Sequence, residues 1–390
     1  MGGEFGYSCR NRECFFKSSK SFERVLMLLI SITLLYGVFA FFGVYLIRSD
    51  KSMPLFSPVS NGVSVIVALR NEEKNIDRLV EGLILQKYPQ QLEFILIDDN
   101  SRDETLNLLT KWSLKDKRIK VLPNYGEGKK SSIATAVKFA SNSIIVQTDA
   151  DCQMNQYWVM SSVNKLLSTD SALVLGPVYP FKSKTILNRL IRLDWIAIQF
   201  MTVVTARLKN PAMANGANFT FFKKDYLEFY NSGFGAHFAS GDDMFFMRFL
   251  QKKGKKISFN LDKKAIVKTE FPNSLKDLLQ QRIRWATKSG KTTNELTYLF
   301  TLIVFLANFA WIITAFSINY HPKSLLIFSS CLAWKLITDF LICWNITRFY
   351  GDFKIVSVLP VMFFIYPIYL LSGLLLSFKK RYKWKGRRVS

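Results

Sequence analysis

The chain has 390 residues, 49% of them hydrophobic, and its 53 lysines and arginines against 29 acids give a formal net charge of +24. That length holds one soluble domain of roughly 200 to 250 residues together with membrane segments, or two soluble domains, and the long uncharged runs decide for the first. The basic excess gathers at the edges of those runs, which points to anionic lipid headgroups and argues against nucleic acid as partner. Five scattered cysteines indicate neither a disulfide framework nor a zinc knuckle.

Residues 1–24 read as a mixed-charge leader. Residues 25–47 carry 23 positions without a charge. At about 1.5 Å per residue they reach across a hydrocarbon core of roughly 30 Å. They read as a retained anchor, because the run is too long for a secretory signal and Arg48-Ser49-Asp50-Lys51 makes a poor cleavage site. A linker, 49–61, carries Pro54 and Pro58. The soluble domain, 62–270, opens on a continuous apolar run at 62–68, as expected of a strand buried on both faces of a parallel sheet. Arg70-Asn71-Glu72-Glu73 then opens a helical pattern through Leu79, Leu83 and Leu85.

A second strand, 92–97, ends in Asp98-Asp99-Asn100-Ser101, and Ser101-Arg102-Asp103-Glu104 has the pattern of a capping box for the helix carrying Leu106, Leu108 and Leu109. A third, 119–122, leads to Gly126-Glu127-Gly128-Lys129-Lys130 and a helix over 131–140. The fourth, 143–147, ends in Thr148-Asp149-Ala150-Asp151. Four alternations of strand and helix predict a doubly wound, mostly parallel α/β sheet, with ligands at the carboxyl ends of the strands, where each of these acidic clusters falls.

Beyond residue 157 the periodicity weakens, with short strands expected at 172–175 and 219–222. A basic amphipathic stretch within 271–290 predicts an interfacial helix. Segments of spanning length follow at 296–318, 324–344 and 355–377, then a basic tail at 378–390. Lys335 and Asp339, one helical turn apart in the middle segment, are expected to neutralise each other while facing the bundle.

Asp149 and Asp151 offer hard oxygen ligands of the kind that suit Mg²⁺ or Mn²⁺, which bind through one or two carboxylates plus substrate phosphates. A simple acidic turn is the competing reading. Asp98 and Asp99 could accept hydrogen bonds from a base or ribose, and Lys129 could meet phosphate or base oxygens, although solvated turns explain these residues too. Gly241-Asp242-Asp243 precedes an apolar helical run at 244–250. A helix cap accounts for Asp242 as well as catalysis does, leaving Asp243 to act as a base within hydrogen-bond reach of an acceptor hydroxyl. In Gln281-Arg282-Ile283-Arg284-Trp285, Arg284 brings a guanidinium fork for a diphosphate, Gln281 neutral hydrogen bonds, and Trp285 a flat face for a sugar ring. A plain interfacial helix would use the same residues as snorkelling cations and an aromatic anchor. His237 reads as structural, and Asn215-Gly216-Ala217-Asn218 as a tight turn.

In order, residues 65–73, Ile97-Asp98-Asp99-Asn100-Ser101, Gly128-Lys129-Lys130, Thr148-Asp149-Ala150-Asp151, Gly216-Ala217-Asn218, Gly241-Asp242-Asp243 and the Gln281–Trp285 motif resemble the family-two glycosyltransferases. The resemblance spans about residues 62 to 290. It is to the membrane-bound branch, similar to cellulose, hyaluronan and poly-N-acetylglucosamine synthases. It implies a GT-A fold, a nucleotide-sugar donor, most often UDP-linked, and inversion of the anomeric centre in one displacement. It further implies that Ala68, Arg70, Glu72, Asp98 or Asp99, Lys129 and Asp149 hold the nucleotide. Asp149 and Asp151 would face a Mg²⁺ or Mn²⁺ diphosphate, Asp243 or Asp242 would be the general base, and Gln281, Arg284 and Trp285 would close over diphosphate and acceptor.

Two departures stand out: the base motif usually reads Glu-Asp, and the larger synthases have more spanning helices than the four expected here. The expected activity is transfer to a growing polysaccharide or lipid-linked acceptor, beside membrane lipids and with room for accessory subunits or a homo-oligomer. Single-sugar transfer to a membrane lipid and a non-catalytic nucleotide-sugar scaffold are the other readings. Nucleotide sugars place the domain on the cytoplasmic side of an inner or plasma membrane. Three later crossings would then put the basic tail outside, against the positive-inside preference, so 324–344 is expected not to cross fully.

Overall fold

The computed structural model describes residues 8–49, 61–238, 241–292, 294–316, 318, 324–377, 382–384 and 387–389. Most of the expected linker and about half of the basic tail lie outside them. The leader is not separate from the anchor: Ser8–Arg48 forms one helix. No glycine or proline interrupts residues 8–24, so nothing in them breaks the helix begun by the apolar run.

Strands β1 (Val63–Leu69), β2 (Leu92–Asp98), β3 (Ile119–Pro123) and β4 (Ile144–Asp149) are parallel neighbours in the order β3-β2-β1-β4. All of β2, and β1 except Ala68, is buried, as a strand covered on both faces requires. The chain continues through β5 (Gln153–Met154), β6 (Leu173–Leu175), β7 (Val178–Pro180), β8 (Phe219–Phe222), β9 (Ile257–Phe259) and β10 (Val267–Thr269). The main sheet has the order β3-β2-β1-β4-β8-β6-β9, with β8 antiparallel to both neighbours, and β5-β10-β7 form a second, small sheet. The helix Ile186–Arg207, 22 residues long, carries the chain across the domain before β8 enters.

In the register of the central strands Leu69 pairs with Asp98 and Ala68 with Asp149, so the acidic ends of β2 and β4 flank the end of β1. The turns beyond β1 and β2 are laced together. Asn71 and Asn100 adopt φ of 52° and 56°, which Asn tolerates better than most residues. The backbone N–H of Asn71 donates to Ser101 Oγ at 3.0 Å and Arg102 N donates to Asn71 Oδ1 at 2.8 Å. This lacing corrects the capping box. The helix Thr105–Lys115 has Glu104 at its cap position with no side-chain cap bond, because the Ser101 hydroxyl serves the neighbouring turn. Asp103 Oδ1 accepts from Thr105 N instead, at 3.2 Å.

Among the described residues, four helices are long and apolar enough to cross a membrane: Glu23–Arg48, Glu295–Phe316, Ser324–Tyr350 and Phe353–Gly373. The third continues past residue 344 to Tyr350, so its length gives no support to a shortened crossing. Lys335 is 2% exposed and donates to Asp339 Oδ2 at 2.5 Å, while the Tyr36 hydroxyl donates to Asp339 Oδ1 at 2.7 Å. The pair therefore faces the bundle. The anchor helix touches both parts of the molecule: Phe39 packs 5.7 Å from Phe200 of Ile186–Arg207 and 4.5 Å from Phe300 of Glu295–Phe316. A shared apolar core runs from β1 into these helices.

Candidate active site

Lys129 organises the site. It sits in the first turn of the helix Gly128–Phe139, and its ammonium reaches Asp149 Oδ1 at 2.5 Å. Burial alone would lower its pKa; Asp149, Asp242 and Asp243 together more than reverse this and raise it. One cation thus feels carboxylates from Asp149-Ala150-Asp151 and from Gly241-Asp242-Asp243, segments about 90 residues apart in the chain.

Asp243 is fixed from two sides. Its Oδ2 accepts the backbone N–H of Gly216 at 3.1 Å and its Oδ1 that of Met244 at 2.8 Å. Gly216 is in turn held by Gln147, whose side-chain amide donates to its carbonyl at 3.1 Å. A Cβ on Gly216 would stand 2.7 Å from Gln147 Nε2 and 3.7 Å from both Asp243 Oδ2 and Lys129 Nζ. The expected tight turn is therefore a close approach of backbone to the acidic site, where a Cβ would push the Gln147 amide out of place. The cap reading of Asp242 fails, since Gly241, at φ 93°, holds the cap position and Asp242 is the first residue of the helix Asp242–Lys252.

Asp151 is pushed up to about 6, first by burial and then by the neighbouring Asp149 and Glu72; the Thr269 hydroxyl and Lys129 oppose the rise. Asp149, itself paired with Lys129, and Glu72 therefore both lie near enough to Asp151 to disfavour its ionised form. Arg78 fixes the loop: its Nη2 donates to the carbonyl of Asp151 at 3.2 Å and to Asn75 Oδ1 at 2.6 Å, and it pairs with Glu270 at 3.2 Å. Glu72 Oε2 accepts from Asn75 Nδ2 at 2.8 Å.

Asp98 and Asp99 are not solvated turns, being 6% and 3% exposed. Asp99 Oδ1 accepts Gly128 N at 2.9 Å and Asn124 Nδ2 at 2.7 Å, and Arg70 Nη1 donates to the Asp99 carbonyl at 3.0 Å. Asp98 Oδ2 accepts Ser101 N at 3.2 Å, while its Oδ1 is buried without a hydrogen-bond partner. That orphan acceptor stands at the strand end, where a ligand's donor would complete it.

Gln281, Arg284 and Trp285 lie on the helix Leu275–Thr292, all half-buried, and Gln281 Oε1 is buried without a hydrogen-bond partner. This helix packs against Asp242–Lys252. Trp285 is 5.9 Å from Trp195, whose indole donates to the Val178 carbonyl at 2.6 Å. Val178 begins β7, the neighbour of β10, and β10 carries the Thr269 that bonds Asp151. The motif's helix thus adjoins the helix that carries Asp242 and Asp243, and it reaches Asp151 through Trp195, β7 and β10. His237 stands exposed. Among the described residues no group of three or more His, Cys, Asp or Glu is arranged to hold a metal.

Sequence reasoning missed Arg78, Gln147 and Thr269. Arg78 carried no signal, since it lies on the side of the helix Ile76–Ile84 opposite the buried Ile76, Leu79, Val80 and Leu83. Thr269 carried none, since β10 is only three residues long.

The sequence profile of Glycosyl transferase family 2 matches residues 64–230. A probable glycosyltransferase, YdaM, of Bacillus subtilis (strain 168) is 31% identical over 146 residues, 36% of this chain and 35% of the relative. The beta-monoglucosyldiacylglycerol synthase of Nostoc sp. is 34% identical over 96 residues, 24% of this chain and 20% of the relative. The chain spans about a third of the length of the first curated relatives it matches, 35% for the Bacillus protein and 35% for an uncharacterized glycosyltransferase of Haemophilus influenzae. Among solved structures, the mannosyltransferase PcManGT of Pyrobaculum calidifontis, in complex with GDP-Man and Mn²⁺, superposes with a TM-score of 0.55 at 15% identity. The superposition covers 91% of this chain and 98% of that one, and it shows the shared GT-A type fold.

Proposed function

We propose that this chain, whose residues 64–230 form a family 2 glycosyl transferase domain, is a membrane-bound inverting glycosyltransferase. It moves a sugar from a nucleotide-sugar donor, UDP-linked in our reading, to a growing glycan or a lipid-linked acceptor. The observation that carries the reading is the convergence on Lys129 of Asp149, Asp242 and Asp243. The core that the domain shares with the apolar helices supports an acceptor presented at the bilayer surface.

In this reading Asp243 is the base, with Asp242 beside it. Its carboxylate, oriented by Gly216 and Met244 N–H groups, takes the proton of the acceptor hydroxyl. The acceptor oxygen bonds to the anomeric carbon as the bond from that carbon to the diphosphate oxygen breaks, and the nucleotide diphosphate leaves with the electron pair. Asp98, Asp99, Arg70 and the end of β1 at Ala68 hold the nucleoside, and Lys129 and Arg284 receive the charge of the departing diphosphate. Gln281 orients that group, and Trp285 offers its face to the acceptor sugar. Asp149 and Asp151 are the residues that would hold a Mg²⁺ or Mn²⁺, which supplies further positive charge at the leaving group. The rise of Asp151 beside Asp149 fits such an ion, since a nearby cation would relieve it, and a two-carboxylate donor set suits an ion that arrives on a diphosphate.

The test uses the purified full chain in nanodiscs, screened with UDP-sugars and GDP-mannose, with Mg²⁺ or Mn²⁺, and with diacylglycerol, polyprenyl phosphate or oligosaccharide acceptors. Release of nucleotide diphosphate, followed by mass spectrometry of the product, is expected for at least one donor. Nucleotide-sugar binding without turnover under every condition would instead make the chain a membrane scaffold.

A further inference from the structure

Arg282 lies inside the Gln281–Trp285 motif but takes no part in the chemistry above. It forms an ion pair with Asp194, on the helix Ile186–Arg207, with side chains 12% and 6% exposed. Tyr369, on the last apolar helix, donates to the same Asp194 oxygen at 3.4 Å, with Tyr366 beside it. The Arg282 guanidinium also lies 4.4 Å from the centroid of the Trp285 ring, and its Nε is buried without a hydrogen-bond partner. Three elements distant in sequence meet at this one buried pair: the helix that crosses the domain, the interfacial helix and the final apolar helix. A buried pair of this kind adds little net stability over an apolar contact, yet breaking it by removing one partner is costly because a buried charge is left uncompensated. A device with that profile fixes an arrangement more than it deepens a minimum.

We infer that Asp194 is a positioning residue for glycosyl transfer: through Arg282 it sets the placement of the interfacial helix, and so of Gln281, Arg284 and Trp285 over the donor. This rests on the proposed function for its kinetic consequence, though not for its structural one. The pair lies one residue from Gln281 and two from Arg284. A rotation or slide of the helix of even one ångström would therefore displace both side chains from the diphosphate.

The test compares the full-length protein with Asp194→Asn, Arg282→Gln and the double variant, in nanodiscs. Asp194→Asn is expected to raise amide hydrogen exchange across residues 275–292 while leaving β1 and β2 protected as in the parent. It should also raise the donor KM about tenfold, since a small displacement of binding groups costs that much or more. A general loss of folded enzyme would lower kcat and leave KM alone. The double variant, which removes both buried charges, should recover most of the protection and of the KM. Parental exchange over 275–292 and a donor KM within about twofold of the parent in Asp194→Asn would overturn the inference, as would a double variant whose losses simply add. Should Asp194→Asn fail to fold, Arg282→Lys, which keeps the charge but loses the fork, is expected to show the same exchange and KM changes in milder form; parental behaviour there would overturn it. Should no donor be turned over by the parent, the function fails and the exchange measurements still decide the role of Asp194.

Discussion

The two ends of the central sheet treat buried carboxylates in opposite ways. At the amino end, Glu93 on β2 receives every donor it needs: Ser64 Oγ at 2.5 Å, Ser141 N at 2.7 Å and Lys120 Nζ at 2.6 Å. Burial pushes its pKa up, but these partners more than offset that and hold it low. At the carboxyl end Asp98 keeps an orphan oxygen, and Asp151 is raised first by burial and then by Asp149 and Glu72. The same residue class in the same sheet is fully paired at one end and keeps a buried oxygen without a hydrogen-bond partner at the other. An acidic strand end marks a site when its charge is unbalanced, not merely when it is buried.

The largest effect should come from the base. Asp243→Asn is expected to lower kcat by about 10²- to 10⁴-fold while nucleotide-sugar binding persists; turnover retained there and lost in Asp242→Asn would move the role by one residue. Next, Glu93→Gln should leave kcat per folded molecule near the parental value and destabilise by about 1–3 kcal/mol, read by thermal unfolding. Its folded pKa lies below the unfolded one, so the stability it contributes is present at neutral pH and lost as pH falls through the folded value. The penalty of the variant should shrink accordingly in acid. The smallest effect has the opposite sign. With chelator present, Asp151→Asn should raise the melting temperature at pH 7.5. A carboxyl lifted to about 6 costs stability when ionised, by up to about 3 kcal/mol, and that gain should fade as pH drops from about 6 towards 4. Adding Mn²⁺ should then stabilise the parent more than the variant. Equal pH responses from Glu93 and Asp151 would erase the contrast between the two ends.

Much of this was legible from the residues. β1 to β4 announce themselves as apolar runs closed by acidic turns, and the four apolar helices follow from length and charge. β5, β7 and β10 were not legible, because strands of two or three residues show no period. The capping box misled because Ser101 had a better partner across the fold in Asn71, a contact that no local pattern reports. The acidic clusters were readable as candidates, but their convergence on Lys129 was not, since no local pattern reports that the Gly216 turn seats Asp243. Asp194 could have been flagged as a lone acid in an apolar helical stretch; its partner, 88 residues away, could not.

In the proposed mechanism Asp149 and Asp151 hold the ion-bound diphosphate on which transfer depends. The most direct measurement is nucleotide diphosphate release, with Mn²⁺, by the Asp149→Ala/Asp151→Ala variant beside the parent. Release should fall by at least about 10²- to 10³-fold in a protein that still unfolds cooperatively near the parental temperature. Release at the parental rate from that variant would contradict it.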